Sequence, residues 1–287
     1  MADPSSQLGA RYTVLCLSTP RGAFVSGEDD LKVEQLGATL VLTMNRPEAM
    51  NAIDPSMAAA LRSAWQQAAG DDAIRVVVLT GAGERAFCAG ADLKRTPPPP
   101  RSFAQTHLNR EVTVTAVTPP ADFVKPVIAA VNGIAVGGGF ELALATDIQI
   151  AATSARFGLT EARIGSLPGA GGTQRLARRV PIGIAQRWLL TGEIFDADTA
   201  LRFGLVSELV DSKELVVRAL EIAGLIAANA PLAVRAGKRA LYAAQDQTLA
   251  QGLEYEQLLW GALRDTHDRL EGRAAFAEKR PPQYRGR

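Results

Sequence analysis

The chain has 287 residues, of which 47% are apolar, so one large core domain with an appendage is expected. Lys and Arg number 31 and Asp and Glu 30, and the net charge of +1 gives no basic footprint for nucleic acid or an anionic membrane. Cys16 and Cys88 stand far apart and outside any C-x-x-C pattern, which argues against a disulfide framework and fits a reducing cytoplasm. Histidine triads and metal sites have only His107 and His267 to use, so carboxylates and backbone groups must carry most of any catalytic chemistry.

Residues 1–30 are polar and rich in Gly, Ser and Pro, and they lack the basic start of a signal peptide. We expect them to form an N-terminal extension. A regular pattern begins at Leu31, and the apolar runs beyond it are too short and too interrupted to span a bilayer. The sequence therefore predicts neither a secretion signal nor a membrane partner.

Strands and helices alternate along residues 31–225, the predicted core. Apolar and β-branched runs predict the strands, and capping residues with helical spacing predict the helices. The strands are expected at 31–35, 39–44, 74–80, 127–131, 148–151 and 205–209, and the helices at 54–70, 138–146 and 182–190. Such an alternation predicts an α/β fold.

Two segments depart from that alternation. Residues 94–122 contain proline clusters and predict an exposed segment with one helix near 103–113. After residue 212 the pattern is helical almost to the end. The helices are expected at 213–229, 231–245, 248–264 and 269–278. This shift places a C-terminal helical region at 226–287.

Two glycine-rich loops are better explained by local structure than by ligand binding. Gly81 to Ala86 fits the G-x-G-x-x-A dinucleotide pattern, but no helix pattern follows and no acid stands about 20 residues on. We interpret it as a plain turn. Gly169 to Thr173 lacks the Lys and Ser/Thr of a phosphate-binding P-loop and is interpreted as a tight entry into a helix, although its N–H groups could face an anion.

A third loop, Gly137 to Gly139, leads from a buried strand into an apolar helix that carries Glu141. Glycines let a ligand approach the main chain, and N–H groups at a helix start favour negative charge, so the loop suits a developing oxyanion. One such donor lowers a barrier by about 3–4 kcal/mol. Close packing of helix on strand would need glycine too, and the local sequence does not decide between these interpretations.

Several separated motifs, in order, resemble the crotonase (enoyl-CoA hydratase/isomerase) superfamily. The central motif is Lys125 to Gly133 followed by Gly137 to Leu142. The others are Asn45-Arg46-Pro47 with Asn51-Ala52, Ala86 to Leu93, Phe157-Gly158 with Glu161, Pro168 to Leu176, and Phe276 to Pro281. The resemblance covers about residues 31–281.

The resemblance implies an α/β fold of the ClpP/crotonase kind, a spiral of ββα repeats with a C-terminal helical trimerisation region. It implies assembly as a homotrimer, or as a homohexamer that is a dimer of trimers. The ligand class would be an acyl-CoA thioester, with coenzyme A carried by the substrate and with no separate cofactor or metal. A cytoplasmic enzyme of fatty acid metabolism, as in β-oxidation, is expected.

The same matching implies the catalytic groups. The N–H groups of Ala91 and Gly138 would form an oxyanion hole, and the two acids would be Glu141 and Glu161. Hydration of a 2-enoyl thioester puts oxygen on C3 and a proton on C2 while charge builds on the thioester oxygen. The resemblance implies that Glu141 activates the water and that Glu161 protonates C2. Asp147, the next acid along, is interpreted as structural.

The resemblance also implies contacts to the CoA arm. Basic residues should meet its phosphates, an apolar side chain should lie close by, and its adenine should lie against backbone. The basic residues expected are Arg46, Lys94 and a neighbouring subunit's Lys279, and the apolar side chain is that subunit's Phe276. The adenine is expected beside the backbone of Ala49, Met50, Ala89 and Leu93. For Lys94 and Lys279, ordinary surface charge is the alternative.

Three functions are compatible with these motifs. The pair of glutamates favours an enoyl-CoA hydratase. A Δ3,Δ2-enoyl-CoA isomerase or an acyl-CoA dehydratase on the same fold is the second hypothesis, and a catalytically silent acyl-CoA-binding protein is the third. In this family residues 94–122 would line the acyl pocket, and their lack of a recognisable pattern leaves the acyl group open. Leu167-Pro168 and Trp188 are candidate wall residues, with core packing as the alternative.

Overall fold

The computed structural model describes residues 30–95, 102 and 117–287. The strands are β1 (Leu31–Leu36), β2 (Thr39–Met44), β3 (Val76–Gly81), β4 (Ala86–Cys88), β5 (Val127–Val131), β6 (Ile134–Val136), β7 (Ile148–Ala152), β8 (Arg156–Gly158), β9 (Phe195–Asp196) and β10 (Glu208–Val210). The α-helices are α1 (Pro55–Gly70), α2 (Gly138–Leu144), α3 (Gly172–Arg179), α4 (Ile182–Thr191), α5 (Ala197–Arg202), α6 (Leu215–Ala227), α7 (Pro231–Ala243), α8 (Leu249–Leu263) and α9 (His267–Glu278).

The strands form two sheets. The larger has the order β1-β2-β3-β5-β7-β10, and only its β1–β2 pair is antiparallel. The smaller has the order β4-β6-β8-β9. In chain order a strand of the larger sheet is followed by a short strand of the smaller one, as in β5-β6-α2 and then β7-β8. This is the repeated ββα arrangement that the resemblance implies.

Alternate residues of the larger sheet face two separate apolar layers, as the period of a strand requires. Val77 and Leu79 of β3 belong to the main core, which lies between the two sheets and α1. Val76 and Val78 face the other way and pack with α6. Because both faces are covered, β3 has no exposed residue and reads as a continuous apolar run.

The α/β prediction is confirmed, and most predicted elements lie within two residues of the observed ones. The strand expected at 205–209 was misplaced, because β10 begins at Glu208 and the buried Leu205 and Val206 precede it. The short strands of the smaller sheet were not predicted. The helix expected near 103–113 lies outside the described residues. The predicted boundary at residue 226 falls at the end of α6, and the division into core and helical region stays a prediction.

The loop Gly81 to Ala86 leads into a strand, β4, and not into a helix, which confirms its interpretation as a turn. Within residues 30–95 and 117–287, no single helix is long and apolar enough to cross a membrane. By length and composition α6 and α7 would pass together, but they are bent by 106° relative to each other.

Candidate active site

The start of α2 is fixed by glycines with different tasks. Gly137 has a φ of 54°, in the left-handed region, and its N–H donates to the carbonyl of Gly158 at 2.9 Å. A Cβ on Gly139 would lie 2.0 Å from the carbonyl oxygen of Cys88, so this glycine allows α2 to pack on β4. Gly138 has no such conflict, since its nearest neighbours to an added Cβ are 3.7 Å away. Close packing therefore explains Gly139, while Gly138 has space beside it and its role in binding an oxyanion stays a prediction.

Ala91 lies beside Gly138. A Cβ added to Gly138 would be 3.7 Å from the Ala91 nitrogen, and one added to Gly90 would be 3.0 Å from the Gly138 nitrogen. Ile53 donates to the Gly90 carbonyl, and Asp92 donates to the Ile53 carbonyl, both at 2.8 Å. These two hydrogen bonds are made by the residues on either side of Ala91, and the N–H of Ala91 itself takes no part in them. Neither the Ala91 nor the Gly138 N–H has an acceptor among the described residues, so the two are free for a ligand oxygen.

A cavity of about 400 Å³ opens at these two N–H groups. Ala91 and Gly138 line it together with Glu141 and Ala170. Its remaining wall is mostly apolar and comes largely from Ile53, Val117 and the first half of α1. A concave apolar site with a few converging polar groups is the usual form of a small-molecule site.

Glu141 lies on α2 and is only 3% exposed. Its Oε1 accepts hydrogen bonds from the backbone N–H groups of Ala170 and Gly172, each at 2.7 Å. The loop Gly169 to Thr173 is thus the helix entry that was predicted, because α3 begins at Gly172. Its N–H groups also face an anion, as the sequence allowed, and that anion is the Glu141 carboxylate. The Glu141 Oε2 has no hydrogen-bond partner in the described part of the chain and is free to act in the cavity.

Glu161 begins a short 3₁₀ helix, Glu161–Ile164, and points its carboxylate toward the start of α2. Its Oε1 lies 3.5 Å from the position of a Cβ on Gly137. Its Oε2 is buried without a hydrogen-bond partner among the described residues. Burial raises the pKa of the Glu161 carboxyl, and the negative charge of Glu141 raises it further. The structure therefore brings together all four predicted catalytic residues, whose catalytic roles stay a prediction.

The surroundings of Arg46 contradict the role predicted for it. The residue is 4% exposed, and its guanidinium lies 3.2 Å from Asp54 and 3.1 Å from Asp92. It also donates to the carbonyl of Ala52 at 2.7 Å. With its charge compensated by buried acids, Arg46 is not placed to meet a phosphate, and it joins the loop before α1 to the loop after β4.

The other candidates for the CoA arm that precede α2 lie in two adjoining loops. The N–H of Ala89 donates to the carbonyl of Met50 at 3.0 Å, which joins these loops. Ala49 and Met50 are half-buried, and Leu93 and Lys94 are exposed. Their contact with CoA stays a prediction.

Phe276 and Lys279 lie apart from those loops. Phe276 is 86% exposed and lines a cavity of about 570 Å³ that shares no lining residue with the one at Gly138. Lys279 is exposed at the end of α9. Within one chain the structure does not bring them to the site, and the prediction that a neighbouring subunit supplies them stays open.

Two further residues, Trp188 and Asp147, have surroundings that indicate a structural role. Trp188 is 3% exposed and stacks on Phe195, so it belongs to the core and not to a pocket wall. Asp147 accepts hydrogen bonds from the N–H of Val127 at 2.7 Å, the Lys238 ammonium at 2.8 Å and the Tyr242 hydroxyl at 2.9 Å. This confirms the structural interpretation of Asp147.

Comparison with known proteins agrees with this geometry. The family model for enoyl-CoA hydratase/isomerase matches residues 34–287. An (E)-benzylidenesuccinyl-CoA hydratase of Thauera aromatica is 49% identical over 85% of this chain and 94% of its own length. A 2,3-dehydroadipyl-CoA hydratase of Escherichia coli is 42% identical over 90% and 99%. The crystal structure of an enoyl-CoA hydratase from Bacillus anthracis is 40% identical, covers 90% of this chain and 100% of its own, and superposes with a TM-score of 0.82. This chain belongs to the enoyl-CoA hydratase/isomerase family of the crotonase superfamily.

Proposed function

We propose that this protein adds water reversibly across the 2,3 double bond of a 2-enoyl-CoA. The observation that carries the proposal is one cavity in which two unused N–H groups, on Ala91 and Gly138, lie beside a buried glutamate held at one oxygen. The names of its relatives, (E)-benzylidenesuccinyl-CoA hydratase and 2,3-dehydroadipyl-CoA hydratase, support hydration as the reaction.

In this mechanism the thioester oxygen accepts from the Ala91 and Gly138 N–H groups. As water adds at C3, negative charge moves onto that oxygen, and the two fixed donors stabilise it without reorganising. Loss of one such donor typically costs about 3–4 kcal/mol in the barrier. The apolar wall strengthens this effect, because charge–dipole interactions are stronger where water is excluded.

The two carboxyl groups divide the proton transfers. Glu141, with Oε1 held by Ala170 and Gly172, keeps Oε2 to take a proton from the attacking water. Glu161, whose pKa is raised by burial and by the charge of Glu141, is the group proposed to deliver a proton to C2. In the reverse direction the roles exchange.

Coenzyme A enters as part of the substrate, and no step of this mechanism uses a separate cofactor. The loops around Ala49–Met50 and Ala89–Lys94 are proposed to hold the CoA arm. Phe276 and Lys279 of a neighbouring subunit would complete it in a homotrimer or a dimer of trimers. This arrangement follows from the family resemblance and from the position of these residues far from the site of their own chain.

Turnover of crotonyl-CoA tests the proposal. The purified protein should remove the enoyl absorbance, and Glu141→Gln and Glu161→Gln should each lower kcat by about 10²- to 10⁴-fold. Glu214→Gln is the control, since Glu214 is exposed at the start of α6 and far from the cavity residues in sequence. Binding of CoA thioesters without turnover by the wild type would favour a silent binding protein, and full activity in both site variants would refute the assigned roles.

Isomerisation is the second candidate, because the unpartnered Oε2 of Glu161 could move a proton between C4 and C2 without the help of water. A 3-enoyl-CoA would then be converted to the 2-enoyl-CoA. Conversion that survives Glu141→Gln but is lost in Glu161→Gln would identify isomerisation. Loss in both variants together with hydration of crotonyl-CoA would support the hydratase.

A further inference from the structure

The cavity that holds the thioester site also contains one basic side chain that the hydration mechanism does not use. Arg62 lines this cavity together with Glu141, Ala91 and Gly138. It makes no ion pair or hydrogen bond within residues 30–95 and 117–287. A guanidinium keeps its charge at any physiological pH, so Arg62 presents a permanent positive charge to whatever fills this end of the cavity.

The position of Arg62 follows from the geometry of α1. Pro55, Ala58 and Arg62 are spaced by three and four residues, so they share one face of the helix, and all three line the cavity. With a rise of about 1.5 Å per residue, the Cα of Arg62 lies about 10 Å along the helix beyond that of Pro55. Between the helix start and Arg62 the cavity wall is apolar, as a hydrocarbon chain requires.

The direction of α1 separates Arg62 from the proposed CoA arm. The loops that carry Met50 and Ala89 are joined at the beginning of α1, next to the bridge of Ile53 with Ala91. The bridge places Ala91 at the start of α1, and Arg62 lies two turns further along the helix. A group that reaches it across the apolar wall comes from the acyl side of the thioester.

The acids near the cavity do not neutralise Arg62. Asp54 also lines it, but its Oδ2 lies 3.2 Å from Arg46 and 3.0 Å from Arg95, and its Oδ1 accepts from the Met57 N–H. Those cations and that N–H hold Asp54 in place at the helix N-cap. The arginine further along the same cavity has no comparable partner.

We propose that Arg62 is a specificity-determining residue and that the preferred substrate is an enoyl-CoA whose acyl chain ends in a carboxylate. This rests on the proposed function, because it places the acyl chain of a 2-enoyl-CoA in the cavity. Arg62 is exposed, so water solvates its guanidinium when the cavity is empty. A carboxylate replaces that water with two parallel charge-assisted hydrogen bonds, whereas a terminal methyl group offers the guanidinium no hydrogen bond. The selectivity between substrates then arises at the far end of the acyl chain and not at the reacting carbons.

Two substrates of equal carbon number test this inference. The monothioester of trans-2-hexenedioic acid with CoA carries the carboxylate, and trans-2-hexenoyl-CoA carries a methyl group in its place. The wild type should have the higher kcat/KM with the carboxylated substrate. Arg62→Met keeps the apolar stem but removes the charge, and it should lower the ratio of the two kcat/KM values by about tenfold or more. Arg62→Lys should restore part of it, since the ammonium keeps the charge without the planar fork.

Arg202→Met is the control, because Arg202 is exposed on α5 and outside this cavity, and the ratio should not change in it. An unchanged ratio in Arg62→Met would overturn the inference. So would an equal rise of KM for both substrates, which would mean that Arg62 contacts the CoA phosphates. Affinities for the unreactive adipoyl-CoA and hexanoyl-CoA give a readout without turnover. If the wild type turned over neither enoyl-CoA, the proposed function would fail, while loss of the binding preference in Arg62→Met would still support the carboxylate site.

Discussion

Two glutamates of the same site differ in what surrounds them. Glu141 is fixed at one oxygen by backbone N–H groups of a loop about 30 residues away in the chain, and its other oxygen is free. Glu161 has a buried oxygen without any hydrogen-bond partner among the described residues, and burial raises its pKa. The proposed division into a proton acceptor and a proton donor would therefore come from the surroundings of each carboxyl group and not from its type.

The close contact between Gly172 and Glu141 gives a prediction at this scale. A Cβ on Gly172 would lie 3.0 Å from both Cγ and Oε1 of Glu141 and 2.9 Å from Cβ of Pro168, so Gly172→Ala must move Pro168 and crowd the glutamate. A shift of about 1 Å in a catalytic group can cost about 10²-fold, and we expect kcat with crotonyl-CoA to fall by up to that factor. Circular dichroism should show an unchanged fold.

Gly183→Ala is the matched control, because an added Cβ there meets no atom within 4 Å and the residue lies on α4, outside the cavity. It should keep wild-type kcat. If Gly172→Ala also kept wild-type kcat, the loop before α3 would not position Glu141.

How far the sequence could predict the site depends on the type of contact. Motif matching gave Ala91, Gly138, Glu141 and Glu161, and the structure brings them together. It could not give the bonds from Ala170 and Gly172 to Glu141, because a glycine pattern at a helix start carries no record of which distant side chain it meets. The prediction that Arg46 contacts a CoA phosphate was wrong for the same reason. The positive charge of Arg46 is visible in the sequence, but the acids that surround it come from the N-cap of α1 and from the loop after β4.

At the scale of elements, the length of a strand decided whether its position could be predicted from the sequence. The strands of the larger sheet have mostly five or six residues and a strong apolar pattern, and their positions were predicted closely apart from β10. The strands β4, β6, β8 and β9 have two or three residues, too few for a periodic pattern to appear. Each of β4, β6 and β8 follows a longer strand that places it beside its neighbours, and β9 follows α4 and pairs with β8, so these strands depend on the tertiary structure.

Asp147 links elements and gives a prediction about stability. It joins the beginning of β5 to α7 through the Val127 N–H, Lys238 and Tyr242. Asp147→Ala would leave these donors without their acceptor in a site where the carboxylate is 15% exposed, and we expect a loss of about 2–3 kcal/mol in the free energy of unfolding. Urea-induced unfolding at a fixed protein concentration measures this loss.

Asp246→Ala provides the comparison for Asp147→Ala. The ion pair of Asp246 with Arg178 is at the surface, with the carboxylate 70% exposed, and such pairs contribute less than about 1 kcal/mol. Equal stabilities of the two variants would mean that Asp147 does not anchor α7. Turnover of crotonyl-CoA should be normal in both variants, because neither residue lines the catalytic cavity.

At the scale of the whole molecule, α8 shows that a single chain leaves apolar surface uncovered. This helix of 15 residues has no buried residue in the described structure. Leu249, Leu253 and Trp260 are 79%, 51% and 47% exposed, and their spacing puts them on one face. Isolated proteins rarely expose a contiguous apolar patch of this kind, so this face is expected to lie against another subunit.

Disruption of the assembly should therefore also weaken the binding of the CoA substrate. Sedimentation should give a mass of three or six times 30.4 kDa for the wild type, and the double substitution Leu249→Asp with Leu253→Asp should lower it. Because Phe276 and Lys279 are proposed to reach a neighbour's CoA arm, the KM for crotonyl-CoA should rise in the dissociated variant. Leu258→Asp, equally exposed but on the opposite face of α8, should leave both mass and KM unchanged. A wild type that sediments as a single chain with full activity would contradict the shared site, since all contacts to CoA would then have to come from one subunit.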